Sequence, residues 1–396
     1  MNNNKNSNGK THSVETILSH AGRHPEENHG FVNTPVTRGS TILFGTLEEL
    51  DSGTQPFRYG RTGNPSTQSV EEIITELEGA EGTVLAPSGL AAITTALLSC
   101  LKSGDELLMT DSAYEPTRRL CEGLLKNLGI TTIYYDPRAG ADIEKLITAQ
   151  TRAIFLESPG SLTFEIQDLP AIAEVAHKKD ITVLIDNSWA TPLFQRPLDL
   201  GADIVIHAGT KMFVGHSDAM FGTISANKRA LPSLTSTHRY MGICASPDDA
   251  FLAARGLRTL ALRMKAHQEN ALELATWLEV QPNVRSVLHP ALPSHPDHAI
   301  FKRDFSGSGS LFSFILDDAP RSALAAMLDD LELFGMGYSW GGYESLVLPV
   351  TPNRIRSAVP WTEKGTVLRI HTGLENVADL KADFGAGLER YRKAMD

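Results

Sequence analysis

Residues 181–211 read ITVLIDNSWATPLFQRPLDLGADIVIHAGTK. Two apolar runs, ITVLI at 181–185 and IVI at 204–206, are rich in β-branched residues and stop abruptly at polar or small ones. Runs that are apolar throughout, rather than alternating, are the mark of strands covered by helices on both faces. The first run ends in Asp186 and Asn187. The second ends in Ala208 and Gly209, followed by Thr210 and a lone cation, Lys211. A long cation just past a buried strand is either a solvated surface charge or a group held in a crevice. Ligands of open parallel sheets bind beyond the carboxyl ends of the strands, so both alternatives stay open.

Outward from this stretch the same unit recurs. GTVLAP precedes the helix-like GLAAITTALLSCL, and DELLMTD precedes EPTRRLCEGLLKNLG. TTIYYD and RAIFLESP follow, with LPAIAEVAHKKD as a helix before residue 181. This alternation predicts an α/β fold with a large, mostly parallel sheet domain over 63–258. Beyond RGLRTLALRM the character changes. A long amphipathic helix at roughly 260–281 leads to VRSVLHP, GSLFSFILDD, a helix near 321–332, TVLRIHT and a terminal helix. A smaller C-terminal α+β domain over 259–396 is expected. Residues 1–62 show little periodicity and many turn formers and read as an arm, with a mobile Asn-rich start.

The 396 residues are 41% hydrophobic and 21% charged, with a mean hydropathy of −0.14, which excludes a disordered chain. A net charge of −11 has the wrong sign for a general nucleic-acid binder. No apolar run reaches the ~18 residues of a membrane span, and the polar N-terminus lacks a secretory core. Cys100, Cys121 and Cys244 are few and widely spaced, without a CxxC metal motif, as in reduced thiols of a cytoplasmic protein.

Polar residues gather at the predicted strand ends. Ser88 and Gly89 open a helix, where backbone N–H groups can approach a phosphate, although such turns also arise for steric reasons. Tyr114 lies past the next strand and either packs or stacks on a flat ring. Glu157 reads as a cap or turn residue. Asp186 is either a cap or the acceptor of a protonated ring nitrogen. An amine, a carboxylate and a phosphate cradle on one rim are the groups that pyridoxal 5'-phosphate (PLP) uses, its usual anchor being a lysine Schiff base.

DNSWATPLF at 186–194, TKMFVGHSDAM at 210–220 and YSWGGYESL at 338–346 carry a resemblance. From about residue 30 to the C-terminus the chain resembles the Cys/Met-metabolism family of PLP-dependent enzymes. RYGRTGNPS, AYEPT, FLESPGSLT and LRIHTGLEN appear in the family's order. AYEPT and YSWGGYESL point to its β-lyases acting on cystathionine. The resemblance implies an aminotransferase-like fold type I and a homotetramer of two tight dimers with shared active sites.

Carried over residue by residue, the resemblance makes Lys211 the Schiff-base lysine and Asp186 the partner of the pyridinium nitrogen. Tyr114 is the ring-stacking tyrosine and a second catalytic group. Gly89, Leu90 and Thr210 hold the phosphate, and Tyr59 and Arg61 reach the cofactor of the neighbouring subunit, Tyr59 also touching substrate. Ser339, Trp340 and Arg369 hold the substrate α-carboxylate. The implied reaction splits L-cystathionine into homocysteine, pyruvate and ammonia. A γ-lyase, a broader thioether or cystine lyase and a non-catalytic PLP-fold protein are the alternatives. Two departures matter. Ala208 stands where many relatives have a phosphate-contacting serine, and Thr62 where some β-lyases have an arginine, leaving Arg118 and Arg119 as either distal substrate contacts or ordinary arginines.

Overall fold

The computed structural model describes residues 4–5 and 11–395. The Asn-rich start, read as mobile, lies mostly outside the described residues. Helix α1 (Pro65–Glu78) begins where the Asn64 side chain accepts the N–H groups of Ser66 and Thr67, and ends at Gly79 with φ 64°. In chain order there follow β1 (Gly82–Ala86), α2 (Gly89–Cys100), β2 (Glu106–Thr110), α3 (Glu115–Leu120), β3 (Thr131–Tyr135), β4 (Thr151–Glu157), α4 (Leu169–His177), β5 (Thr182–Asp186), β6 (Ile204–His207) and β7 (Gly222–Ala226).

These seven strands form one sheet in the order β1-β7-β6-β5-β4-β2-β3. The pairs β3/β2, β2/β4, β4/β5 and β5/β6 are parallel; β7 runs antiparallel to both its neighbours. The two-sided burial read from residues 181–206 has a direct cause. Leu184, Ile204 and Ile206 pack in a core with residues of α2, while Val183, Ile185 and Val205 pack in another with residues of α4. Each face carries its own apolar layer, so alternation vanishes from the sequence.

The chain continues through α5 (Pro247–Arg258), α6 (Leu260–Glu279), β8 (Val284–Leu288), β9 (Leu311–Leu316), α7 (Arg321–Leu328), β10 (Phe334–Gly335), β11 (Ser345–Val350), β12 (Thr366–His371) and α8 (Val377–Lys393). A second, smaller sheet has the order β8-β9-β12-β11-β10 and is antiparallel except at β11/β10. Residues of α6, α7 and α8 bury its core around Phe312, Phe314 and Phe384. Before α1, a helix over 14–20 buries Ile17 and Leu18 against the large unit, and Ser69 Oγ donates to the Gly22 carbonyl at 2.6 Å. Farther along, Phe31, Val32, Leu43 and Leu47 are exposed. Among the described residues no helix is long and apolar enough to cross a membrane.

Candidate active site

The carboxyl ends of β1, β2, β4, β5 and β6 open onto one cavity of about 410 Å3. The second sheet closes it with residues 338–340 and Arg369 of β12. Ser88, Gly89, Leu90, Tyr114, Asp186, Thr210, Lys211, Ser339, Trp340 and Arg369, all singled out from the sequence, line it together. Tyr59 and Arg61 do not. Tyr59 is exposed on the arm, and Arg61 donates to the Arg239 carbonyl at 3.4 Å.

At the β1–α2 junction the Ser88 hydroxyl caps the helix by accepting from Ala91 N at 3.1 Å. The N–H groups of Gly89 and Leu90, in the first turn, have no intrahelical acceptor and sit at the positive end of the helix. Glycine is needed at 89 because a Cβ there would stand 2.6 Å from Ala208 Cβ. The Thr210 hydroxyl donates to Phe221 O at 3.1 Å and accepts from Phe221 N at 2.8 Å, so its proton is used inside its own loop.

Asp186 and Glu157 are register partners at the ends of β5 and β4, which sets two carboxylates side by side. Asp186 Oδ1 accepts from Ser188 N at 2.9 Å, and the Ser188 hydroxyl bonds it too. Burial nevertheless raises Asp186 above the ordinary aspartate value. Glu157 is held well above the carboxylate range, by burial first and then by Asp186. Glu157 Oε2 accepts from Tyr114 N at 2.7 Å and so fixes the tyrosine where α3 begins. Burial first, and then the neighbouring Glu157 carboxyl, raises the Tyr114 phenol, which keeps it protonated.

Lys211 is not a solvated surface charge. Its Nζ donates to Ser339 Oγ at 2.5 Å and lies 5.5 Å from the centre of the Trp340 ring. Burial, helped by the Arg369 guanidinium and opposed by Asp186, pushes Lys211 down to about 8. Ser339 has φ 88°, a left-handed conformation that costs a non-glycine residue energy and concentrates at functional sites. Arg369 Nη2 donates to the Ser339 carbonyl at 3.3 Å, which leaves most of its fork for a ligand.

The two other arginines are engaged elsewhere. Arg118 is buried, donates to Asp111 Oδ1 at 2.9 Å and stacks 3.7 Å from the Tyr134 ring centre. Arg119 pairs with Glu115 one helical turn away. Asp111 also accepts the N–H groups of Ser357, Ala358 and Val359, so this pair ties the loop after β11 to the end of β2. Sequence reasoning passed over Glu157 as a cap and did not single out Ser188 or His371. Glu157 ends a buried strand beside Asp186 and carried the same signal that drew attention to Asp186.

Comparison with known proteins agrees with the geometry. The profile of the Cys/Met metabolism PLP-dependent enzyme family matches residues 15–389. A putative cystathionine beta-lyase of Rhizobium johnstonii is 48% identical over 378 residues, covering 94% of this chain and 95% of that protein. A cystathionine beta-lyase of Salmonella typhimurium is 42% identical over 95% of this chain and 98% of its own length. The crystal structure of cystathionine gamma synthase from Xanthomonas oryzae pv. oryzae superposes with a TM-score of 0.90 at 31% identity, covering 97% of this chain and 100% of that one. The fold is PLP-dependent fold type I. With its lysine, half-buried aspartate and helix-end cradle on one rim, the chain belongs to the Cys/Met metabolism family of PLP-dependent enzymes.

Proposed function

We propose that the protein is a carbon–sulfur β-lyase that converts L-cystathionine and water to L-homocysteine, pyruvate and ammonia. The observation that carries this is the convergence of Lys211, Asp186 and the Arg369 fork on one cavity. The cavity fits PLP on its own chemistry. An enclosed acid whose charge is unfavourable without a cation, a helix end with free N–H groups and a lysine brought to about 8 match a ring nitrogen, a phosphate and an aldehyde. Gly89 and Leu90 would hold the phosphate, Asp186 the ring nitrogen and Tyr114 the ring face. Thr210 would join them after turning its proton away from Phe221.

When bound, PLP supplies an aldehyde for the substrate amine and an electron-accepting ring. The protein's own residues do the rest. Arg369, with Ser339 and Trp340, orients the α-carboxylate through a planar fork. Lys211, free as an amine in a sizeable fraction near neutral pH, takes the Cα proton. The departing sulfur needs a proton, which Lys211 returns or Tyr114, held in its protonated form, donates. Asp186, whose charge burial disfavours, would be ionised beside a protonated ring nitrogen and would favour that form of the ring.

The same reading extends the arm, 1–62, towards a neighbouring copy beyond its helix over 14–20, which packs on its own large unit, with Tyr59 and Arg61 completing that copy's cavity in a homotetramer. It divides the rest at 258/259 into a large and a small domain. Exposure of Tyr59 and of the apolar arm residues supports the assignment of the arm. The acidic composition and unpaired thiols accord with a cytoplasmic location and a small amino-acid substrate. The test is incubation of the purified holoenzyme with L-cystathionine. Pyruvate with homocysteine is expected, and 2-oxobutyrate with cysteine would instead make it a γ-lyase. Borohydride reduction and peptide mapping should locate the cofactor on Lys211; any other position refutes the assignment.

A further inference from the structure

The turn that carries Ser339 and Trp340 cannot hold itself. Ser339 and Gly341 both have φ 88°, and a Cβ on Gly341 would lie 3.0 Å from Lys211 Cα, so the turn is pressed against the lysine's backbone. Behind it lies His371, the last residue of β12, only 1% exposed. Its Nε2 is 3.2 Å from Gly341 N and 3.1 Å from Gly342 O, and its Nδ1 is 2.7 Å from Ser310 Oγ, itself fully buried. Burial, with His267 alongside, pushes His371 down to about 3, so the ring is neutral. Either neutral tautomer still ties the ring to the turn. With the proton on Nδ1, that nitrogen donates to Ser310 and Nε2 accepts from Gly341 N. With the proton on Nε2, it donates to Gly342 O while the Ser310 hydroxyl donates to Nδ1.

We propose that His371, braced by Ser310, is a positioning residue: it holds the strained 339–342 turn closed over Lys211, keeping Ser339 on the amine and Trp340 beside it. Arg369, two residues earlier on β12, reaches the same turn through the Ser339 carbonyl. The strand therefore grips the turn at two points, with a half-buried guanidinium and a buried imidazole. Releasing the imidazole lets the turn lift and brings more water around the half-buried lysine. Burial is the largest cause of the lowered Lys211 value, and the charged groups acting on the amine are Arg369 and Asp186. Hydration therefore moves Lys211 upward, towards an ordinary lysine.

This inference rests on the active-site reading but is tested without substrate. In cofactor-free protein, the rate at which Lys211 is acylated by a trace of acetic anhydride is followed against pH, with peptide mapping to isolate residue 211. Wild-type protein should give a midpoint near 8. His371→Leu, which removes both ring nitrogens, should raise it by about one pH unit, a roughly tenfold loss of free amine at neutral pH. His371→Gln, whose amide can replace one bond to the turn, should return it part of the way. Thermal unfolding checks that the variants fold; if His371→Leu does not, Ser310→Ala is used, with a smaller rise expected. A midpoint at or below the wild-type value in a cooperatively folded His371→Leu, or in Ser310→Ala where it replaces it, overturns the proposal. A failed keto-acid assay would remove the lyase reading and leave this one standing.

Discussion

Replacing Arg118 by alanine separates structure from substrate recognition. Arg118 is 6% exposed, and its guanidinium bonds Asp111 Oδ1 at 2.9 Å and Ser357 Oγ at 2.8 Å and covers Tyr134. Breaking a buried ion pair costs about 3–5 kcal/mol. Asp111 keeps the N–H groups of Ser357, Ala358 and Val359, so the loss falls at the lower end, about 3 kcal/mol. Loss of the cation–π contact adds about 1 kcal/mol. For a urea slope of about 3 kcal/mol per M, the total of about 4 kcal/mol moves the unfolding midpoint down by roughly 1.3 M. Arg118→Lys should recover only part, since an ammonium keeps the charge but loses the fork. Because Arg118 is absent from the cavity lining, KM of the folded variant should stay within about twofold of wild type. An unchanged midpoint with a roughly tenfold rise in KM would refute the reasoning and return Arg118 to the substrate.

Further outcomes follow from the same geometry. Asp186→Ala should retain cofactor yet lose about 2.7–4 kcal/mol of transition-state stabilisation, some two to three orders of magnitude in kcat; an unaltered rate contradicts its role. Gly89→Ala places a methyl 2.6 Å from Ala208 Cβ and should weaken cofactor retention, read as an increased Kd in equilibrium dialysis; equal affinity would show that the cradle yields freely. His267, at about 4, and His289 and His371, both at about 3, are neutral when folded, whereas an unfolded histidine takes up its proton near 6.5. The unfolded chain then binds more protons, so the stability they contribute is complete above pH 6.5 and drains away as pH falls towards these values. The thermal midpoint should drop across that range, and a flat profile would refute the burial argument.

What could be read from sequence depended on whether a residue's meaning was local. The run IVIH followed by AGTK declared a buried strand and a cation beyond it, because β-branched residues and small turn formers act over a few positions. Asp186 was legible for the same reason. Arg118 was not: nothing in TRRLC says that its partner, Asp111, also gathers three amides from residues 357–359. Likewise the helix over 14–20 was hidden in a stretch read as an arm, since its two buried residues, Ile17 and Leu18, are too few to set a period. His371 looked like any histidine on a strand until the turn it braces came into view. Long-range hydrogen bonds leave no pattern along the chain.

The cavity has two makers. One sheet contributes the amine, the acid and the helix end; the other contributes the guanidinium and the turn with its serine and tryptophan. Evolution can therefore rewrite the wall that inspects an incoming metabolite while leaving the wall that grips the vitamin alone, and one inherited scaffold can sort its descendants by diet.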